Sequence, residues 1–95
     1  MNGSAHHAQM DSLLSQVEGH YNSQDVDMAK ANQIETLHAK AADFIRQSAA
    51  AHARGDYQSA RSHLHSAAAH IGNAAVLQGI GQAKARAMAI ASAYR

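Results

Sequence analysis

The stretch that decides the fold is AAAHARGDYQSARSHL, residues 49–64, because it contains a complete reversal between two helices. Alanine has the highest helix propensity, and nothing interrupts the alanine-rich run before Arg54. Gly55 tolerates the left-handed conformation that often follows a helix end, and Asp56 can cap the next helix immediately. Because the connection is so short, we expect two antiparallel helices to meet here.

The composition extends this helical pattern to the whole chain. The 95 residues include no proline, tryptophan or cysteine, and alanine is the commonest residue. Without proline, helix interiors are uninterrupted, and a chain of this length is enough for one domain. We predict an all-α fold: an antiparallel bundle of three to four helices built from helical hairpins. Residues 1–95 form a single domain, in which the helix at 1–22 could be loosely attached.

Capping residues and apolar spacing set the predicted helix boundaries. The first helix runs from about Ser4 to Tyr21, and the second from Ser23 or Asp25 to residue 54. The third covers residues 57–71. The pair Gly72-Asn73 repeats the stop-and-cap pattern, which predicts a second reversal there. The fourth helix then runs to the carboxyl end, with residues 79–81 inside it.

Apolar residues repeat at helical intervals along the last three segments. The second helix carries the stripe Ile34, Leu37, Ala41, Phe44, Ser48 and Ala51. The third carries Tyr57, Ala60, Leu64, Ala67 and Ile71, and the fourth carries Val76, Ile80, Ala83, Ala87, Ile90 and Tyr94. We predict these side chains to face helix partners.

The fourth stripe is also the predicted interface for self-association. Small residues in its middle allow two helix backbones to approach closely, and a small core with few large side chains gains from pairing. The predicted interface residues are Ile80, Ala83, Ala87, Ile90 and Tyr94.

Residues 41–72 resemble a single tetratricopeptide repeat. Gly55-Asp56-Tyr57 stands at the turn of the repeat, followed by small and apolar residues, and Phe44 stands at the position of its bulky aromatic residue. Gly72 stands where the family has its closing proline. The resemblance implies a helical hairpin that packs like a repeat. No second copy follows at the 34-residue interval that a repeat array requires.

Eight histidines make metal binding a class that must be weighed. No two of them have the i, i+3 or i+4 spacing of a helical metal site. Glu35 and His38 form one Glu-x-x-His pair, and Glu18 is the only other glutamate, whereas ferritin-like bundles use two such pairs and two more glutamates. A symmetric oligomer could assemble that set, so an oligomeric metal-binding bundle stays an alternative. The prediction itself is no metal and no cofactor.

Four of the histidines lie beside the predicted core stripes. They flank the helical seam, where they either pack as polar rings or respond to pH. They are His38, His52, His63 and His70.

Charge is divided between the two halves of the chain. Residues 1–43 have a net charge of −4 and residues 44–95 have +5. The halves can attract each other, or the basic half can attract nucleic acid through Lys84 and Arg86. DNA or RNA binding is therefore a second alternative to protein association.

The predicted function is a non-enzymatic protein–protein interaction or scaffolding module that self-associates. No nucleophile elbow and no phosphate-binding glycine loop is present, so we expect no enzyme and no catalytic residues. No apolar run reaches the length of a membrane span, and the amino terminus lacks a signal-peptide pattern. We expect a cytoplasmic protein of bacterial or bacteriophage origin, or a virion component if a phage encodes it.

Overall fold

The computed structural model describes residues 3–94, with side chains from residue 5 onward. Within this range the chain forms four helices and no β-strand: α1 (Gly3–Asn22), α2 (Met28–Ala53), α3 (Tyr57–Gln78) and α4 (Gln82–Ala93). The predicted all-α bundle is confirmed. No helix in the described range is both long enough and apolar enough to cross a membrane.

The α2–α3 hairpin forms the centre of the molecule. α4 folds back along α3, and α1 lies against α2, α3 and α4. α1 contributes Met10, Leu13, Leu14 and Val17 to the same core cluster as the other three helices. The predicted N-terminal helix is therefore part of the bundle core.

Most residues of the predicted stripes are buried or partly buried, and two are exposed. The side chains of Tyr57 and Val76 are 53% and 56% exposed. Leu37 and Phe44 are partly buried at the edge of the α2–α3 contact. The remaining members of the α2 and α3 stripes form the predicted core.

The first reversal is confirmed where the sequence predicts it. Gly55 has a φ of +80°, and its backbone N–H donates to the His52 carbonyl at 3.0 Å. The Asp56 N–H donates to the Ala51 carbonyl at 2.9 Å, which completes a Schellman motif. The Asp56 carboxylate then caps α3 by accepting from the Ser59 N–H.

The second reversal lies seven residues later than predicted. α3 continues through Gly72-Asn73 and ends at Gly79, whose φ is +79°. The N–H groups of Gly79 and Ile80 donate to the carbonyls of Val76 and Ala75, which repeats the Schellman motif. The prediction that residues 79–81 lie inside a helix is therefore wrong.

Gly72 has a different role from the one predicted. A Cβ atom placed on it would lie 3.0 Å from Cγ of Lys84 on α4. Glycine therefore allows α3 and α4 to approach each other in mid-helix, and no turn is needed there.

The start of α2 is also later than predicted. Asp27, rather than Ser23 or Asp25, caps the helix by accepting from the Lys30 N–H at 2.9 Å. Ser23 instead donates its hydroxyl to the His20 carbonyl at the end of α1. α1 begins at Gly3, so Ser4 lies inside the helix and not before its first residue.

Asp56→Ala is expected to lower the melting temperature at pH 7 and to have almost no effect at pH 2. Hydrogen bonds from the Ser59 hydroxyl and N–H lower the pKa of Asp56. A lowered folded pKa stabilises the protein above the unfolded pKa, and this contribution is lost as pH falls through the folded pKa. Thermal unfolding followed by circular dichroism measures the difference. Asp25→Ala in the α1–α2 loop is the control, and an equal effect of Asp56→Ala at both pH values would contradict the assignment.

Candidate functional sites

Three of the five residues predicted to form the interface lie inside the single chain. Ala83, Ala87 and Tyr94 are buried, while Ile80 and Ile90 are partly buried against the core. α4 packs this stripe on α3 and α1. A partner helix centred on these residues would have to displace the chain's own helices. Pairing through α4 stays a prediction. Among the five predicted interface residues, only Ile80 and Ile90 are partly accessible.

A cluster of aromatic rings holds Tyr94 in place at one end of the bundle. The Tyr94 hydroxyl is 2.7 Å from Nδ1 of His52, and the Tyr94 ring contacts His6 and His7 at centroid distances of 5.9 and 5.6 Å. Burial raises the pKa of Tyr94. Tyr57 packs on His52 at 5.2 Å. These rings join the start of α1 to the carboxyl end of the described chain.

His7 and Ser48 form a hydrogen-bonded pair within this region. Nε2 of His7 is 2.8 Å from Oγ of Ser48, and that hydroxyl donates to the Ala60 carbonyl at 2.6 Å. Ser48 is fully buried and its proton is directed at the carbonyl. The Ser48 hydroxyl therefore links α1, α2 and α3.

The predicted position of four histidines beside the helical seam is confirmed. His38 is buried, and His52, His63 and His70 are partly buried. His6 and His7 are as deeply buried as His38, but they were not predicted to lie beside the core. Helical spacing could have revealed His6, because His6, Met10 and Leu14 follow each other at i, i+4 on one face of α1.

Gln78 connects three parts of the chain through hydrogen bonds that the sequence did not indicate. Its side-chain Nε2 donates to the Val17 carbonyl at 2.9 Å, and its Oε1 is 2.8 Å from Nε2 of His38. Its own carbonyl accepts from Nε2 of Gln24 at 2.7 Å. The last residue of α3 is therefore bound to α1, α2 and the loop between them.

An acidic pocket lies between α1 and α2. It encloses about 510 Å³, and its lining residues are Glu18, Tyr21, Asn22, Glu35, His38 and Ala39. The three residues weighed above as metal ligands thus come together within one chain. In residues 3–94, however, no three histidine, aspartate or glutamate side chains are placed to hold a metal ion.

An outer groove lies between α2 and α3. It also encloses about 510 Å³, and it is lined by Asn32, Gln33, Thr36 and Leu37 of α2 and by Asn73 and Leu77 of α3. None of these six side chains is charged. The predictions did not identify this groove, because it combines half-stripes from two helices whose relative register the sequence does not give.

The face that carries the groove extends along the hairpin. Phe44 lies seven residues beyond Leu37, and His70 and His63 lie seven and fourteen residues before Leu77, so they share the same sides of α2 and α3. The Phe44 ring packs on His63 at 6.1 Å and on His70 at 5.2 Å between centroids. We call the groove and these three residues the outer face.

Three cations of the basic half have partners within the chain. Arg46 pairs with Asp43, Arg54 lies 4.0 Å from Asp56, and Nη1 of Arg86 donates to Gln16 at 3.1 Å. The six side chains of these three pairs lie on all four helices or at their ends, so the positive charge is distributed over the bundle. The arrangement gives no specific reason to favour nucleic acid over a protein partner.

The hairpin implied by the resemblance over residues 41–72 is present, since its turn at Gly55-Asp56 joins α2 and α3. The helical hairpin is the extent of that agreement. No protein-family model, curated protein or solved structure matches the chain, so the functional argument rests on its own geometry.

Proposed function

We propose that this protein is a non-enzymatic association module that pairs with a second copy of itself through the outer face. The observation that supports this proposal is a groove that contains two leucines and has no charge among its six lining side chains. Leu37 and Leu77 are both partly buried by their own chain. Covering the rest of their apolar surface would provide the main driving force for pairing.

The polar residues of the groove also suit a second copy. The amides of Asn32, Gln33 and Asn73 carry both donors and acceptors, so a two-fold axis can pair like side chains with each other. An uncharged surface meets its own copy without like-charge repulsion. A strongly acidic or basic partner would find no complementary charge among the six lining residues.

Size and core composition agree with a dimer. The molecule measures 42 × 20 × 16 Å, so its long face is comparable with the roughly 800 Å² per partner that standard interfaces bury. Alanine accounts for much of the buried apolar core. A small domain with such a core gains stability from association.

Leu77→Asp is expected to convert the dimer to a monomer. The charge would enter the centre of the interface, and we expect the dissociation constant to rise by at least about 100-fold, which corresponds to roughly 2.8 kcal/mol. Light scattering over a dilution series measures the mass against the 10.0 kDa of one chain. Leu77 is partly exposed, so the variant should keep its helical circular dichroism spectrum.

Val76→Asp is the matched control. Val76 neighbours Leu77 in the last turn of α3 and is exposed, but it does not line the groove. The same charge at the same helix end should leave the dimer intact. A wild type that stays monomeric at high concentration would refute pairing. Loss of pairing by Ile90→Asp, with Leu77→Asp still dimeric, would return the interface to α4.

A further inference from the structure

The first turns of α1 are held to the end of the bundle by two imidazole rings. His6 and His7 are each 7% exposed, whereas the other three residues of the segment 5–9 are exposed. The first apolar core residue of α1 is Met10, which comes after this segment. Imidazole is the side chain that changes its charge between about pH 5 and pH 8. The docking of residues 5–9 therefore depends on groups that can take up a proton.

The surroundings of the His6 ring suit its neutral form. Its Nδ1 is buried and has no hydrogen-bond partner among the described residues. In the neutral ring, a proton on Nε2 leaves Nδ1 with a lone pair, whereas the imidazolium ion carries an N–H on both nitrogens. Protonation would therefore create a buried N–H without an acceptor, and it would place a charge on a side chain that is almost fully buried.

The groups that face His6 from the other helices offer it no negative charge. The Tyr94 ring meets the His6 ring edge to face at 5.9 Å, and Tyr94 also contacts His7 at 5.6 Å and His52 at 5.8 Å. Burial raises the pKa of Tyr94, while the nearby charge of Arg61 on α3 acts in the opposite direction. A charge on His6 would thus join a cluster that contains two more imidazoles and lies close to a guanidinium group.

Acidic residues of the same helices do not compensate such a charge. Asp11 lies one turn after His7, but it is exposed and forms no ion pair among the described residues. Asp43 and Asp56 each lie beside an arginine close to them in sequence. The ring of Tyr57 extends the cluster from the start of α3 without adding a charge.

We propose that His6 makes the docking of the amino-terminal end of α1 depend on pH, so that residues 5–9 leave the bundle as the pH falls. Once released, His6 is in water, where it can accept a proton without leaving an N–H unpartnered. The released state therefore binds more protons than the docked state, and acidification favours release. Above the range in which imidazole titrates, both states have a neutral His6 and the segment stays docked.

The change is confined to the first turns of α1. Release separates Nε2 of His7 from Oγ of Ser48, which are 2.8 Å apart in the docked state. The Ser48 hydroxyl keeps its bond to the Ala60 carbonyl, so α2 and α3 stay joined. From Met10 onward, buried apolar residues hold the rest of α1 in the core. The outer face lies on α2 and α3, so this proposal does not depend on pairing between two copies.

Amide hydrogen exchange followed by two-dimensional NMR measures the release. We expect the protection factors of amides 8–10 to fall about tenfold between about pH 7.5 and pH 5, because uptake of one proton shifts the equilibrium by at most about tenfold per pH unit. Protection factors are ratios to the intrinsic exchange rate at each pH, so the pH dependence of that rate cancels. Amides 14–17 of the same helix should keep their protection at both pH values.

His6→Phe is the decisive variant. It keeps an aromatic ring against Tyr94 but cannot take up a proton, so amides 8–10 should keep their protection at pH 5. His6→Gln is a second neutral variant with a smaller side chain, so the test does not depend on how phenylalanine packs. His20→Phe is the matched control, because it removes an exposed histidine from the other end of the same helix. In this control the loss of protection should match that of the wild type.

Three results would overturn the proposal. The first is unchanged protection of amides 8–10 in the wild type at pH 5. The second is the wild-type loss of protection in both His6 variants, which would assign the response to another group. The third is an equal loss at amides 14–17, which would mean that acid releases the whole helix rather than its first turns.

Discussion

Ala87→Glu should unfold the protein rather than disperse an oligomer. Ala87 is completely buried in the single chain, where α4 meets α3 and α1. A glutamate there would place an unpaired charge in the core, and we expect the free energy of unfolding to fall by about 3–5 kcal/mol. That is a large part of the total stability of a small domain. Chemical denaturation followed by circular dichroism measures the loss.

Ala85→Glu separates the effect of burial from the effect of the substitution itself. Ala85 is exposed on the same helix, so the variant has the same added charge and the same change in helix propensity. Its free energy of unfolding should stay within about 0.5 kcal/mol of the wild type. If Ala87→Glu is equally stable but loses oligomeric mass, the α4 stripe faces a second copy, as the sequence alone suggested.

The sequence predicted that the α4 stripe faces a second copy, whereas most of it is buried within the chain, and this difference has a physical origin. Helical spacing shows that Ala83, Ala87 and Tyr94 share one face, but it does not say which helix covers that face. Because α1 carries Met10, Leu13, Leu14 and Val17, it supplies the large side chains that the α4 stripe lacks. The core is therefore completed within the chain, and Leu37, Phe44 and Leu77 of the outer face stay partly buried.

The two reversals show how far local chemistry decides a turn. At the first, Gly55 allows the left-handed conformation and Asp56 provides a cap, so both signals coincide. At the second, Gly79 allows the same conformation, but Gly81 precedes α4 and has no side chain to cap it. Gly72-Asn73 carries the stronger local signal for a stop. Gly72 nonetheless lies against Lys84 of α4, whose Cγ would be 3.0 Å from an added Cβ atom, and this is a tertiary contact.

The acidic pocket was only partly predictable for a similar reason. The Glu-x-x-His pair of Glu35 and His38 follows from helical spacing on α2. The position of Glu18 depends on how α1 lies across α2, and the sequence contains no marker of that register. The orientation of His38 depends on Gln78, which is forty residues away along the chain.

Gln78→Met is expected to reduce the free energy of unfolding by about 2–4 kcal/mol. Methionine has a similar length and helix propensity, so the change mainly removes the two polar atoms. It leaves the N–H at Nε2 of His38 and the Val17 carbonyl buried without partners, and each unsatisfied group costs roughly 1–3 kcal/mol. Urea denaturation measures the change. The bond from Gln24 goes to the Gln78 backbone, so it should survive the substitution.

Gln58→Met is the control, because Gln58 is an exposed glutamine near the start of the same helix. It should change the stability by no more than about 0.5 kcal/mol. The double variant Gln78→Met with His38→Leu tests the cause, since removal of both partners of a buried hydrogen bond costs less than removal of one. We expect the pair to be less destabilised than the sum of the two single variants. Strict additivity would show that Gln78 and His38 act independently, and that the bond at 2.8 Å does not hold α2 to the end of α3.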